Sequence, residues 1–343
     1  MNGFAAVIGH GGPIALLERE MKRPAGAYLF VGASGVGKAT VGRAFAAGLV
    51  CPERLDHDEP CRSCRRAESG NHPDIVVVEP EGRQSLGVEQ ARQTITQAVM
   101  TPVESVRKVF LFPEAEAMTD QAANSLLKTL EEPTATTVFI LVVESEDDLP
   151  PTVASRCRTV HFGRVPEEVL REGLVLRSGV DSLTAADLAR VAGGRPGLAL
   201  GLLERPEIGR YRRAWLEVPG RVTDRTGDSF VLAAEMLDLT DEVAPEPSED
   251  VPKEQADRDR RRSRQALLAS GLEILASWYA DAATLQFGGP VRNTDLDVTD
   301  LTMVSAARAI RNADHALDAV LDLQANLRPQ LVLANLFTTL AFD

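Results

Sequence analysis

The residues best suited to chemistry lie in Gly32-Ala-Ser-Gly-Val-Gly-Lys-Ala39, a glycine-rich segment between an apolar run at 27–31 and an apolar-patterned stretch at 38–49. A strand, a loop of this composition and a helix make the context of a phosphate-binding P-loop. Backbone N–H groups at the helix N-terminus surround a phosphate, Gly32, Gly35 and Gly37 permit the tight path, and Lys38 reaches the outer phosphates. The bland alternative is a glycine-rich turn with an incidental lysine, and the flanking strand and helix argue against it. The hydrolytic pattern then fails at the next position. A Ser or Thr hydroxyl should follow the lysine to bind Mg²⁺, but Ala39 stands there. Thr40 comes one residue later, about 100° around the helix. A second Mg²⁺ ligand should be an acid directly after the apolar run 108–112, where Pro113 takes the slot and Glu114 the next one. With two metal ligands missing, the sequence predicts a site that does not hydrolyse ATP efficiently. Gly32, Gly35, Gly37, Lys38, Ala39 and Thr40 could still hold ATP or ADP.

A second cluster is thiol-based. The four cysteines fall at 51, 61, 64 and 157, and without an export signal they suit a metal site or packing better than disulfides. Cys51, Cys61 and Cys64 lie close in sequence, and three thiolates need a fourth ligand to make a tetrahedral Zn²⁺ site. His57, Asp58 or His72 could supply it; otherwise the cluster is vestigial and holds no metal.

Elements that would position these groups alternate along the first half of the chain. Short apolar runs at 27–31, 75–79, 108–112, 138–143 and 159–162 read as strands, with helical stretches at 38–49 and 88–100. Thr119 is placed to cap a helix running to Glu132 and stopped by Pro133. This is the pattern of an α/β sheet with helices on its faces. Beyond Phe162 the strands cease and the remainder reads as helical. One break, 244–265, joins prolines, an acidic half and a basic half, and reads as a solvated loop or the charged start of a helix.

Composition sets outer limits. Of 343 residues, 44% are apolar and 25% charged, the profile of a globular chain with a substantial core. The net charge of −13 argues against a surface built wholly for nucleic acid and points towards protein partners. There is no basic-then-apolar leader and no run of about 18 apolar residues, so a cytoplasmic protein without a membrane span is expected.

Several stretches, in order, carry a family resemblance: the P-loop, Cys51…Cys61-Arg-Ser-Cys64 followed by Gly70-Asn-His-Pro-Asp74, the run Ala122-Ala-Asn-Ser-Leu-Leu-Lys-Thr-Leu-Glu-Glu-Pro133, and Ser155-Arg-Cys157. Together they resemble the delta-prime subunits of bacterial DNA polymerase III clamp loaders, clearly over residues 1–205 and more weakly through Asn326-Leu-Arg-Pro-Gln-Leu331. The resemblance implies an AAA+ P-loop domain at 1–163, a helical lid at 164–207 and an all-α collar at 208–343 with a charged loop near 243–264. It implies as partners the gamma/tau motor subunits and delta, and indirectly the sliding clamp and primed DNA. It also implies that Arg156 acts in trans, as an arginine finger at a motor subunit's ATP site. Such a finger supplies roughly 10³–10⁵ in rate by neutralising charge on the transferred phosphate. The alternative for Arg156 is a local pair with Glu131 or Glu132. Ser155 would support the turn, and Cys157 would pack as a small apolar group.

The family's cysteine spacing places a fourth thiol where this chain has Ala67, so Zn²⁺ and a metal-free remnant both stay open. Its sensor arginine would fall in Gly193-Gly-Arg-Pro-Gly197, where Gly197 occupies the slot and Arg195 is out of register. No intrinsic catalysis is expected, although the parent assembly carries DNA polymerase activity. The first rival is an active ATPase motor of the same loader, opposed by Ala39 and Pro113. A free-standing P-loop enzyme would explain neither the 122–133 run nor Ser155-Arg-Cys157, and a pure scaffold would leave Arg156 inert.

Overall fold

The computed structural model describes residues 3–80, 85–203, 205, 207–225, 227–244, 253–293, 296–325 and 327–342. The chain divides into two compact units, one comprising Met1–Gly179 with Arg195–Gly197, the other Val180–Gly194 with Leu198–Asp343.

The first unit is a five-stranded parallel sheet. Its strands are β1 (Ala27–Val31), β2 (Ile75–Val77), β3 (Lys108–Phe112), β4 (Thr137–Val143) and β5 (Arg158–His161), in the order β2-β3-β4-β1-β5. Its helices are α1 (Gly11–Glu20), α2 (Lys38–Val50), α3 (Arg62–Glu68), α4 (Val88–Ala98), α5 (Asp120–Glu131), α6 (Pro151–Ala154) and α7 (Glu167–Ser178). Every residue of β1, β3 and β4 is buried, as strands covered on both faces require. Alternate side chains serve the two faces. Tyr28, Phe30, Val109, Leu111 and Ile140 join Leu17, Val41 and Phe45 in one core layer. Leu29, Phe110, Phe139 and Leu141 join Ala122, Leu126 and Leu130 in the other. Thr119 caps α5, its side chain accepting from the Ala122 N–H, as expected.

Differences from the sequence expectations have local causes. β2 stops at Val77, although the Val78 N–H still reaches the Leu111 carbonyl at 2.8 Å before Pro80 ends the run. β5 begins one residue earlier than expected and ends at His161. Helix α3 carries no side-chain oxygen at its N-cap. The Cys61 sulfur accepts from the Cys64 N–H instead, a cap that Ser/Thr/Asp/Asn signals do not reveal.

The all-helical second unit holds α8 (Ser182–Ala192), most of α9 (Pro196–Gly201), then α10 (Ile208–Arg221), α11 (Asp228–Val243), α12 (Lys253–Gln286), α13 (Val298–Leu301), α14 (Ala306–Gln324) and α15 (Pro329–Phe342). Trp215 and Tyr211 of α10 are fully buried, and Tyr211 donates to the Leu267 carbonyl of α12 at 2.8 Å. Gly271 makes this approach workable, because a β carbon there would sit 2.1 Å from the Trp215 ring. The buried Asp281 carboxylate accepts from the backbone N–H groups of Arg292 and Asn293, and Arg212 donates to the Asn293 side chain at 2.8 Å. These bonds fasten the loop after α12 to the helices.

The boundaries at 163 and 207 are not where the compact units divide. Residues 164–179 group with the sheet because Leu170 and Leu174 are buried and Gly173 faces Ile8, where a β carbon would stand 2.5 Å from its side chain. Of the charged segment 243–264, residues 245–252 lie outside the described residues, and Lys253 onward is helix, the second of the two readings open from sequence. Asn326 likewise lies outside the described residues. Among the described residues, no helix is long and apolar enough to cross a membrane.

Candidate functional site

Parallel pairing of β1 with β4 and β5 brings the ends of three strands together where the glycine loop leaves β1. The loop adopts the path its glycines permit, with φ of 75° at Gly35 and 105° at Gly37, which is the N-cap of α2. Gly32 passes so close to the end of β5 that a β carbon would lie 2.1 Å from the Phe162 carbonyl oxygen. Lys38 is buried, and its ammonium donates to the loop's own carbonyls, Gly32 at 2.6 Å and Ala33 at 2.9 Å. His10, in the left-handed conformation with φ 60°, donates from Nε2 to the Val36 carbonyl at 2.7 Å and packs edge-on against Phe162. The Gly197 N–H meets the Gly35 carbonyl at 2.9 Å.

Gly32, Gly35, Gly37 and Lys38 are thus gathered in one loop. Thr40 points to solvent on α2, and Ala39 offers no hydroxyl. Pro113 follows directly on β3, so an acid is absent where the strand ends. A β carbon at position 197 would stand 3.1 Å from the Gly35 oxygen, so any side chain there would require the loop to give by a few tenths of an ångström. The geometry suits holding a phosphate group and lacks the oxygen ligands that would fix Mg²⁺. His10 was not singled out in the sequence. Its place between Gly9 and Gly11, ahead of a P-loop, is the only signal it leaves.

Arg156 follows α6, partly exposed. Its Nε and Nη2 both contact one oxygen of Glu131, at 3.2 and 3.1 Å, and Nη1 donates to the Thr152 carbonyl at 2.9 Å. The local pair considered from sequence therefore forms, with Glu131 as the acid. An exposed pair of this kind contributes about 1 kcal/mol or less, so it is easily exchanged for another anion. Burial pushes the Cys157 thiol up to about 12, in keeping with a packing role.

The thiol cluster is completed by His57. Side-chain ligand atoms of Cys51, His57, Cys61 and Cys64 all lie within 4.8 Å of one another, and this group could hold a metal ion. His57 Nε2 stands 3.4 Å from the Cys51 sulfur and 3.3 Å from that of Cys64, while the Cys51 and Cys61 sulfurs are 3.9 Å apart. A tetrahedron with Zn–S bonds of about 2.3 Å has S···S edges of about 3.8 Å, so the donors fit. Burial works to raise the Cys61 thiol, but hydrogen bonds from Cys64 outweigh it and leave the thiol below its ordinary value. Cys64 is pushed upward, first by burial and then by its thiol neighbours.

The other two candidates for the fourth position are excluded by their surroundings. Asp58 is exposed and stands outside the cluster. Both nitrogens of His72 are engaged: Nδ1 accepts from the Asp74 N–H at 3.1 Å and Nε2 contacts the Ser63 hydroxyl at 2.8 Å. Asp74 itself is fully buried. It accepts from the backbone N–H groups of Val103, Glu104 and Ser105 and from the Ser105 hydroxyl. Burial pushes its carboxyl up, but these four donors outweigh that and hold it below the usual carboxylate range.

The strand order, the glycine loop between β1 and α2, and helices on both faces define an α/β domain with a parallel sheet and a P-loop-like turn. Residues 14–166 match the family model described as DNA polymerase III, delta subunit. Over 159 residues the chain is 38% identical to the DNA polymerase III subunit delta' of Bacillus subtilis, covering 46% of this chain and 47% of the relative. Over 134 residues it is 40% identical to the delta' subunit of Pseudomonas aeruginosa, covering 38% and 41%. The tau/gamma subunit of Haemophilus influenzae is 34% identical over 175 residues, covering 50% of this chain and 25% of that protein. The chain thus spans about half or less of the length of these relatives. Over its N-terminal part it is similar to bacterial delta-prime subunits, as Ser155-Arg-Cys157 and the 122–133 run imply.

A carboxyl with a lowered pKa contributes stability that is present above the ordinary carboxylate value and is lost as pH falls through its lowered one. Asp74→Asn is therefore expected to lower unfolding stability at neutral pH by about 2 kcal/mol. Denaturant melts across pH should show this gap closing below about pH 4. A gap that stays constant with pH would contradict the role of the charge.

Proposed function

We propose that the chain is the delta-prime component of a bacterial clamp loader, a subunit that does not hydrolyse ATP itself but completes the ATP site of a neighbouring motor subunit. The observation that carries this reading is the similarity of residues 14–166 to delta-prime subunits, combined with Ala39 and Pro113 at the two positions where Mg²⁺ ligands would stand. An active motor reading has the same loop to draw on but lacks both ligands. In this function Lys38 and the N-terminus of α2 hold the phosphates of any ATP or ADP that binds, without turnover. Arg156 leaves Glu131 and places its guanidinium against the phosphate being transferred next door. Gamma/tau motors and delta are the partners; the sliding clamp and primed DNA are engaged through the assembly, in the cytoplasm.

Zinc fits the Cys51, His57, Cys61 and Cys64 donor set and would act structurally, tying α2 to α3 with no open position for chemistry. Metal analysis of protein purified without chelator should then find one zinc per chain. His57→Ala should weaken zinc binding by about tenfold or more and lower the melting temperature. Zinc-free wild-type protein that melts unchanged when zinc is added would mark the cluster as vestigial.

Clamp loading tests the function directly. With motor and delta subunits, a fluorescent sliding clamp and primed DNA, ATP-dependent loading should require this chain. The chain alone should release no phosphate from ATP. Loading that proceeds equally without it, or turnover by the chain alone that Lys38→Ala abolishes, would overturn the assignment.

A further inference from the structure

The backbone on either side of Arg156 is anchored, and the downstream anchor is built from residues that no catalytic motif marks. Upstream, the Arg156 N–H meets the Val153 carbonyl and the Cys157 N–H meets the Ala154 carbonyl, both at 3.1 Å, so these two residues close the turn that ends α6. Downstream, Arg158 opens β5 opposite Tyr28 in the parallel register with β1. β5 lies at the sheet edge and pairs with β1 alone among the described residues, so its start has one neighbouring strand to hold it.

Side chains reinforce that single pairing. The Arg158 guanidinium contacts one carboxylate oxygen of Glu20, the last residue of α1. The Tyr28 hydroxyl donates to the other oxygen at 2.7 Å and accepts from the Ala25 N–H at 2.9 Å. Burial, and then the bond to Glu20, push this hydroxyl well above its ordinary range, so it remains a donor. The Glu20 side chain is only 12% exposed, and a carboxylate held that far from water needs its partners. Glu131 is different: at 58% exposed it is solvated with or without Arg156. The Glu131 pair is therefore too weak to aim the guanidinium, and the aim has to come from the backbone. We infer that Glu20 and Arg158 are positioning residues for Arg156, fixing the start of β5 and with it the point from which Arg156 reaches a neighbouring subunit's phosphate. Accuracy matters there, because a misplacement of about 1 Å can cost roughly 10²-fold in rate.

This inference rests on the finger role proposed above, and the experiment separates the two. ATP turnover is measured over a range of ATP concentrations for the loader assembled from the full chain, motor and delta subunits on clamp and primed DNA. Glu20→Gln and Arg158→Met should each lower kcat by about fivefold or more with KM for ATP unchanged, because the lost interaction belongs to the transition state. Arg158→Lys, which keeps a cation opposite Glu20, should recover most of the wild-type rate. In an Arg156→Ala background neither Glu20→Gln nor Arg158→Met should lower turnover further, since no finger is left to aim. Wild-type kcat in both variants, or an equal loss in the Arg156→Ala background, would overturn this inference and leave the finger standing. Full turnover by Arg156→Ala alone would overturn the finger role and this inference with it.

Discussion

The close passage of Gly32 beneath the end of β5 is the constraint on which the first unit's functional edge depends. The glycine lies against the Phe162 carbonyl because β1 is paired on both sides, with β4 and β5 running parallel to it. From that contact the loop has one path to α2, and Val36, Gly35 and the Lys38 ammonium are held in turn by His10, Gly197 and the loop's own carbonyls. The loop therefore keeps the shape of a phosphate cradle with protein groups alone. Its chemistry lacks the two oxygens, at positions 39 and 113, that would position Mg²⁺.

Arg156 emerges from the short helix α6, whose position is set by β4 before it and β5 after it. The guanidinium sits on a single oxygen of Glu131 and on the Thr152 carbonyl near the surface, a partly exposed pair of the kind that contributes about 1 kcal/mol or less. Glu131 is the last residue of α5, so the motif that carries the acid and the motif that carries the arginine meet in space although 25 residues separate them. The two sequence features that most strongly mark the family thus form one local pair.

Much of this was legible in the residues. The strand runs and the Thr119 cap are local signals: β1, β3 and the cap appear where periodicity and capping chemistry place them, and β2, β4 and β5 differ only at their ends. The fourth donor of the thiol cluster was narrowed only to three candidates. Choosing His57 required knowing that Asp74 and Ser63 engage both nitrogens of His72, contacts that only the folded chain supplies. The helix α3 was missed because a cysteine sulfur caps it. The division of residues 164–207 between two compact units depends on Leu170, Leu174 and Gly173 packing near Ile8, a long-range contact invisible to local pattern. His10 was silent for the same reason, since its partner Val36 lies 26 residues away.

Whether Arg156 works on a neighbour or only on Glu131 is decided by ATP turnover of the assembled loader on clamp and primed DNA, comparing the wild type with Arg156→Ala and Glu131→Ala. A trans finger predicts that Arg156→Ala reduces turnover by about tenfold or more, while Glu131→Ala, which frees the arginine, keeps it at or above the wild-type rate. Full turnover with Arg156→Ala would contradict the account and leave the Arg156–Glu131 pair as a surface contact.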